Sequence, residues 1–556
     1  MDTTVQEKDG FHKDEEAFAS SSEKETRDGT ISKLQFVKGF RFWAILASVS
    51  VTSLLTSLEA TIVSTALPTI ITELHGANKY IWVSSGYLLT MTTLQPIYGQ
   101  LANVFGRRYP LIFAAAIFTL GSGICGGSNS VEMLIAGRVL QGIGAAGISV
   151  LVEIIVCDIV PLRERGTYLG IVMGFGFLGS ALGPLFGGLI VENISWRWVF
   201  YLNLPVGGAA LVALFLFLQV KFNKEMTIAE KLRRMDFGGS LIFVGSVVSI
   251  LIALAWAGSL YAWSTVQVIV PLVLGFIGLI CFLIYEAFVS DPIMPLHLFQ
   301  NRTSLVAFVL TFLHGIATVW LLYFLPVYFQ AVLQASTERS GIDLLPTIFA
   351  IVPFAIAAGV VMGKIGRYKP IHVVGFAVMM MGFGLLTLLN ENSSTAAWVL
   401  FQVVESLGAG LVIPTLLPAV MAELTDADTG SATGTWSFMR GFGMTWGVTI
   451  PSAIFNDQTT RLASRIQDPS VVAMLTGGQA YEHATRSFVE SLTDPTVKSQ
   501  VISIFTESLK RSWQIGIAFP ALGFLIVFLE KEIPLRQELN TEYGIEDGKE
   551  KDKEKA

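Results

Sequence analysis

Long runs without charge constrain this chain more than any other feature. Leu241–Trp256, Val266–Ala287 and Leu305–Gln330 carry almost no ionisable residues. A helix crossing a bilayer needs about 20 consecutive apolar residues, because the hydrocarbon core is about 30 Å thick. Strands crossing a membrane would alternate apolar and polar side chains over about ten residues, and these runs are apolar throughout. Only 14% of the 556 residues are charged, against roughly 25% in a soluble domain. The pattern therefore predicts an all-α integral membrane protein.

The charges crowd into residues 1–38, 221–236, 457–512 and 531–556. Residues 1–41 read as a disordered N-terminal tail and 532–556 as a charged C-terminal tail, since neither has enough apolar surface to pack. The formal net charge of −6 lies largely in these tails, and it argues against a nucleic-acid partner, which calls for a basic face. Cys125, Cys157 and Cys281 are scattered, and read as isolated apolar residues rather than a disulfide or metal framework. No cleavable signal peptide precedes the first apolar run, which is expected to act as an uncleaved signal-anchor.

Spans are expected at about 42–72, 79–101, 108–128, 131–156, 166–191, 198–219, 237–257, 266–288, 304–330, 343–362, 371–390, 395–421, 430–455 and 513–531, fourteen in all. Lysine and arginine in short loops set the orientation. Loops after even-numbered spans hold Arg107 and Arg108, Arg163 and Arg165, Lys221, Lys224, Lys231, Arg233 and Arg234, Arg302, and Arg367 and Lys369. Loops after odd-numbered spans hold little beyond Lys79, Arg197 and Arg339. Both tails are therefore expected to be cytoplasmic. The acidic loop Glu423–Thr429 breaks this rule. Sequons at Asn193 and Asn392 fall on the outer side and are expected glycosylation sites, whereas the one at Asn301 falls inside. The polar segment 457–512 is expected to be an extracellular or luminal loop carrying an amphipathic helix.

The two halves resemble each other. Gly99…Gly106-Arg107-x-x-Pro110 recurs as Gly359…Gly366-Arg367-x-x-Pro370. RVLQGIGAA at 138–146 can be laid on QVVESLGAG at 402–410, and GTYLGIVMGFGFLG at 166–179 on GTWSFMRGFGMTWG at 434–447. These matches pair the second span with the tenth, the fourth with the twelfth and the fifth with the thirteenth. The seventh and eighth are left over, so a six-plus-two-plus-six plan is expected: halves 42–219 and 304–531, with 220–303 between them. Repeated halves that rock about a central site are a common way to build a transporter.

At this level of detail the chain resembles the major facilitator superfamily, in particular its fourteen-span drug:proton antiporter branch, from about residue 40 to 535. The residues that carry the likeness are GQLANVFGRR (Gly99–Arg108), LIAGRVLQGIGAA (Leu134–Ala146), GSALGPLFGG (Gly179–Gly188), LEATIVSTALP (Leu58–Pro68) and WRWVFYLNLPVG (Trp196–Gly207). Two positions depart from the family pattern. The acidic residue of the loop after the second span is Asn103, so no ionic pair with Arg107 is available there. The usual aspartate of the first span is Glu59, which keeps the charge on a longer stem. The resemblance implies a cytoplasmic gating loop of Gly99, Asn103, Gly106, Arg107 and Arg108. It also implies antiport rather than symport, and a part for Arg138 in proton transfer.

The residues themselves support several candidates. An ionisable group within a span costs a few kcal/mol unless paired or hydrated, so Glu59 reads either as a proton-coupling or substrate-facing carboxylate or as a hydrogen-bonded structural acid. Arg138 is permanently charged and must face the interior, for coupling or for structure. Gly179, Gly183, Pro184, Gly187 and Gly188 make a small-residue face with a proline in it, suited to close helix packing and to a hinge. Gln141 and Arg138 map onto Glu405 and Gln402 in the second half; Glu405 is expected to face a central cavity, or else to join two helices. Arg440 is a further deep cation that contacts substrate or pairs with Glu405. His314 reads first as a helix–helix hydrogen bond, and Trp320, Tyr323, Tyr328 and Trp436 as aromatics that either line a cavity or face lipid. No phosphate-binding loop, metal cluster or nucleophile triad is found.

A proton-coupled exporter of hydrophobic or amphipathic small molecules is the expected function, with drugs, toxins or fungal secondary metabolites as substrates. It is not expected to be an enzyme; no cofactor is expected, and the proton gradient supplies the energy. The expected partners are the substrate, protons and the lipid bilayer, with the chain a monomer in the plasma membrane or the vacuolar membrane. The competing readings are an uptake or vacuolar carrier of siderophores or basic amino acids, and a transport-inactive receptor or scaffold. The text WSFMRGFGMTWGVTIPSAIFN has a fungal look.

Overall fold

The computed structural model describes residues 38–74, 80–218, 226–258 and 260–538. The expectations for most of both tails, and for Lys79, Lys221 and Lys224, lie outside the described residues. Among the described residues the secondary structure is helical, apart from an isolated bridge between Ala257 and Tyr261.

In chain order the long helices are α1 (Phe40–Leu74), α2 in two segments (Tyr80–Thr93 and Gln95–Phe105), α3 (Arg108–Gly126), α4 (Val131–Ile159), α5 (Leu162–Asn193) and α6 (Asn203–Phe217). They continue as α7 (Phe237–Trp256), α8 (Val266–Glu286), α9 (Arg302–Val327), α10 (Leu345–Ile365), α11 (Lys369–Leu386) and α12 (Thr395–Val420). The last are α13 (Thr429–Leu462) and α14, in two segments (Pro495–Gly516 and Ala518–Val527). Among the described residues, eleven stretches are long and apolar enough to cross a membrane, and they correspond to α1 and α3 through α12. The other three differ for visible reasons. Helix α2 is interrupted at Leu94, just before Pro96, whose ring cannot continue an interior turn. Helix α13 is rich in threonine, serine and glycine, and α14 is divided at Ile517.

Segment 457–512 carries the expected amphipathic helix, and more of it is helical than a loop would be. Helix α13 runs on to Leu462, and three short helices follow (Pro469–Leu475, Ala480–His483, Arg486–Ser491). The first segment of α14 then buries Val497, Val501, Ile504, Phe505, Leu509 and Trp513 on one face. Their spacing is helical, and the charges on the opposite face lower the mean hydropathy enough to resemble a loop. The start of the expected C-terminal tail is also built into the structure. The backbone N–H of Leu535 donates to Gly366 O, Arg163 N–H donates to Arg536 O, and the Arg536 guanidinium reaches Leu424 O.

Residues 40–217 and 302–527 each form a group of packed helices, and α7 and α8 pair with each other beside them. Helix α8 buries little of its surface against protein, as expected of a helix that faces lipid. The groups meet along two principal seams, α5 against α10 and α2 against α13. The two seams are related by the internal repeat, because α10 is the counterpart of α2 and α13 the counterpart of α5. At Gly99 an added Cβ would lie 3.2 Å from Gly434 Cα and 3.3 Å from Gly430 C. At Gly359 it would run into the backbone of Gly166 and Thr167. Both repeat motifs end their helix on a glycine with positive φ, Gly106 at 80° and Gly366 at 73°, a conformation that costs glycine little and other residues more.

One end of the bundle gathers Arg107, Arg163, Arg165, Arg234 and Arg367. The acidic loop that broke the charge rule lies at this end as counter-charge. Asp426 lies 3.5 Å from Arg165 and 3.8 Å from Arg536, and Asp428 lies 2.8 Å from His297.

Candidate functional site

Five helices of the first half supply a polar network without solvent access. Arg138 Nη1 donates to Glu59 Oε1 at 2.5 Å and to Gln141 Oε1 at 2.9 Å, while its Nε donates to Val83 O at 3.0 Å. The other carboxylate oxygen of Glu59 accepts from Asn203 Nδ2 at 2.5 Å. Ser122 Oγ accepts from Gln141 Nε2 at 2.8 Å. The guanidinium carbon lies 4.3 Å from the centre of the Tyr87 ring, a cation–π contact, and the Tyr87 hydroxyl donates to Thr56 O at 3.0 Å. Glu59, Arg138, Gln141, Ser122, Asn203 and Tyr87 are all buried. Two opposite charges removed from water need good geometry and further hydrogen bonds to hold, and this network provides both. Tyr87, Ser122 and Asn203 were not singled out from the sequence, where small polar residues in apolar helices look alike.

The glycines of α5 form two rows facing different neighbours. Gly166, Gly170 and Gly174 face α10, where added Cβ atoms would meet Met362, Ala355 and Val352. Gly179, Gly183 and Gly187 face α1, where added Cβ atoms would run into Leu54, Thr61 and Thr65. The small-residue face expected to pack closely and to act as a hinge thus faces α1 of its own half, and the preceding row makes the seam with α10. Gly188 has nothing within 4 Å of an added Cβ and belongs to neither row. Pro184 lies inside the helix, between Gly183 and Gly187.

The loop after α2 resolves the missing charge. Arg107 Nε donates to Asp158 Oδ2 at 2.6 Å and Nη1 donates to Ala102 O at 3.0 Å. Asp158, at the end of α4, takes the ionic role that Asn103 cannot. Asn103 Nδ2 instead donates across the seam to Ser431 Oγ at 3.1 Å, and Arg108 Nη2 donates to Phe215 O at 2.8 Å. Removing one member of a buried ion pair costs about 3–5 kcal/mol, so Asp158→Asn is expected to lower the melting temperature in detergent by several degrees. Adding Asn103→Asp returns an acid four residues from Arg107 on the neighbouring turn and is expected to recover part of the loss. A double variant no more stable than Asp158→Asn alone would refute this.

The second half has a different polar arrangement. Gln402 Oε1 accepts from the Thr347 hydroxyl at 3.0 Å, and its Nε2 donates to Asp343 O at 3.2 Å. Glu405 is buried and its carboxylate oxygens have no hydrogen-bond partner among the described residues. Its backbone and Cβ lie against Gly382 of α11. His314 Nε2 donates to Ala409 O at 3.0 Å, joining α9 to α12.

Arg440 does not pair with Glu405. Its Nη2 donates 2.8 Å to Glu153 Oε1, and its guanidinium carbon stacks 4.5 Å from the Trp436 ring centre. Ser437 Oγ donates to Glu153 Oε2 at 2.5 Å. Trp436 is buried, and so is Trp320, whose Nε1 donates to Ser512. The Tyr328 hydroxyl donates to Asn390 O, while Tyr323 is exposed. Glu153 went unremarked in the sequence, although an acid within SVLVEIIV invites the same argument from membrane cost that singled out Glu59. Asn193 and Asn392 are both exposed. Cys125 and Cys157 are buried and Cys281 exposed, all as free thiols.

Two helical groups related by a repeat, meeting on glycine seams around buried charge pairs, define a membrane transporter of the two-half type. The sequence profile of the Major Facilitator Superfamily matches residues 49–448, and the chain belongs to that family. It is 54% identical over 517 residues to the MFS-type transporter pydD of an Acremonium species, covering 92% of this chain and 90% of that protein. It is 46% identical over 515 residues to the efflux pump FUS6 of Gibberella fujikuroi, covering 92% and 93% of the two chains. Among solved structures, the human organic anion transporter MFSD10 superposes with a TM-score of 0.57 at 14% identity, over 88% of this chain and all of that one; this likeness speaks to the fold alone. The chain is thus a multi-pass membrane transporter of small molecules.

Proposed function

We propose that the chain is a proton-coupled exporter that exchanges protons for hydrophobic or amphipathic small molecules, fungal toxins or secondary metabolites among them. The observation that carries this reading is the buried Glu59–Arg138 pair with its Asn203, Gln141 and Ser122 shell. All its members belong to one half, so the pair stays intact as the halves rock. It can exchange a proton without being dismantled by each cycle. Export is supported by the relatives named as efflux pumps.

In this reading the backbone crosses fourteen times, with α2, α13 and α14 completing the eleven more apolar spans. Halves 42–219 and 304–531 rock about α5–α10 and α2–α13, with α7 and α8 as the extra pair. The basic end is cytoplasmic, and Asn193 and Asn392, if outside, accept glycans. Gln141, His314, Gln402, Glu405, Trp436 and Arg440 are proposed to border the substrate path. Proton flow is the energy source, with no cofactor, and the chain acts as a monomer in the plasma membrane.

Yeast cells expressing the chain are expected to accumulate several-fold less of a fluorescent amphipathic dye than empty-vector cells, and a proton uncoupler is expected to erase the difference. Retained dye exclusion in the presence of the uncoupler would overturn proton coupling. Increased accumulation would overturn export.

A further inference from the structure

We propose that Asp236 and Glu286 share one proton at the basic end of the extra helix pair, and that this proton fastens α7 and α8 to α2. Asp236 immediately precedes α7, and Glu286 is the last residue of α8. Both acids are buried, at 5% and 3% exposure. A Cβ added at Gly239 would run into Asp236 Oδ2 and lie 2.8 Å from Glu286 Oε1, so the two carboxylates meet over that glycine. Asp236 Oδ2 has no hydrogen-bond partner, and among the described residues no basic side chain is bonded to either acid.

The other three oxygens are satisfied. Asp236 Oδ1 accepts from the Gly239 N–H at 2.8 Å and from the Tyr285 hydroxyl at 3.3 Å. Glu286 Oε2 accepts from the Met294 N–H at 2.8 Å, and Oε1 from the Ile293 N–H at 3.4 Å. What the site lacks is positive charge. Two carboxylates sharing one desolvated site do not both ionise. A single proton held between them removes the repulsion and supplies the donor that Oδ2 needs. The charges on the surrounding segments are placed elsewhere. Arg234 pairs with Asp291 at 2.9 Å and His297 with Asp428 at 2.8 Å. Lys231 and Arg233, on the short helix Ile228–Arg233, form no ion pair with either acid. Helices α2 and α13 bring neutral groups here, Gln100 and Phe438.

The two acids hold the segments that dock on α2. The N–H of Asp236 reaches Gln100 Oε1 of α2 at 3.4 Å. Glu286 holds the turn at Ile293 and Met294, and just before it Asp291 O accepts from Gln100 Nε2 at 2.8 Å. Gln100 thus joins α2 to the segments that the shared proton draws together. At the far end of α7, Trp256 packs edge-on against Trp82 of α2, with ring centres 6.2 Å apart. Loss of the proton leaves two negative charges in one dry site, and the junction must open to hydrate them. Undocked and facing water, both acids ionise near the ordinary value of about 4, whereas the docked pair keeps its proton to higher pH. Docking is therefore complete at low pH and weakens as the pH at the basic end rises. This inference depends on neither the Glu59–Arg138 pair nor the direction of transport.

The test uses full-length protein in detergent with Cys125, Cys157 and Cys281 replaced by alanine and Ile293→Cys as reporter. Ile293 is buried beside Glu286. Labelling by a polar thiol reagent is measured at about pH 6 and about pH 9, either side of neutrality. Each rate is divided by that of the same protein carrying Glu286→Gln, which keeps a neutral hydrogen bond and cancels the thiol's own response to pH. The ratio is expected to be near one at the lower pH and about tenfold higher at the upper. Asp236→Asn serves as a second divisor and is expected to give the same result. A ratio that stays constant with pH would overturn the shared proton. So would labelling at the upper pH that calcium, magnesium or sodium ions slow, the mark of a cation between the carboxylates. A failed uncoupler result would sink proton-coupled export without touching either outcome.

Discussion

Glu59→Gln is expected to abolish proton-driven export and to destabilise the protein, because it leaves the Arg138 guanidinium buried without a counter-charge. The loss of one partner from a buried, hydrogen-bonded pair costs about 3–5 kcal/mol. Arg138 would keep only Val83 O, Gln141 Oε1 and the Tyr87 ring. The double variant Glu59→Leu/Arg138→Leu separates structure from transport. Replacing a buried ion pair by apolar side chains of similar volume is often neutral or stabilising by about 1–4 kcal/mol. The double variant is therefore expected to melt near the wild-type temperature while exporting nothing. Thermal unfolding in detergent and dye export driven by an imposed pH gradient check the two halves of this statement. Wild-type export by the double variant would remove Glu59 and Arg138 from the coupling mechanism.

Gly359→Leu is expected to stop the transport cycle with the basic end open. A Cβ at that position would collide with the carbonyl group of Gly166 and the amide nitrogen of Thr167. These are backbone atoms and cannot turn aside as a flexible side chain would, so α5 and α10 must separate. Interiors packed to crystal-like density do not absorb such an insertion locally. Gly99→Leu should do the same at the symmetry-related seam, where the obstacle is the backbone of Gly430 and Gly434. For both variants export should fall by at least tenfold, and a cysteine at Met362 should become open to an impermeant thiol reagent. Each such decade corresponds to about 1.4 kcal/mol in the balance of conformations. Gly188→Leu is the control: an added Cβ there meets nothing within 4 Å, and export should be unaffected. Seam variants that export normally would show that these contacts are not part of the cycle.

Corrections to the sequence reading share a cause. Helices without a distinct apolar face, such as α5 and α13, give no periodic signal to say which face meets which neighbour. For that reason the antiporter-type glycines Gly179, Gly183 and Gly187 could be recognised but not assigned to α1. Arg440 could be recognised as a deep cation but not matched to Glu153, which is 287 residues away. Asn103 looked like a lost charge because its motif is local, whereas the acid that replaces it, Asp158, is distant in sequence and adjacent only in the fold.

The sequence by itself determined the helices, because a bilayer leaves a polypeptide few ways to satisfy its backbone. It also determined the repeat, including the two glycines that cap α2 and α10 with positive φ, since backbone conformation at a helix end is a local property. The tertiary structure alone decided which charges meet. Pairing depends on the rotation and depth of helices that are far apart in the chain, and a buried ion is stabilised only by the atoms that actually surround it. That is why Glu59–Arg138 stays within one half, Glu153–Arg440 joins the two, and Glu405 is left with no partner among the described residues.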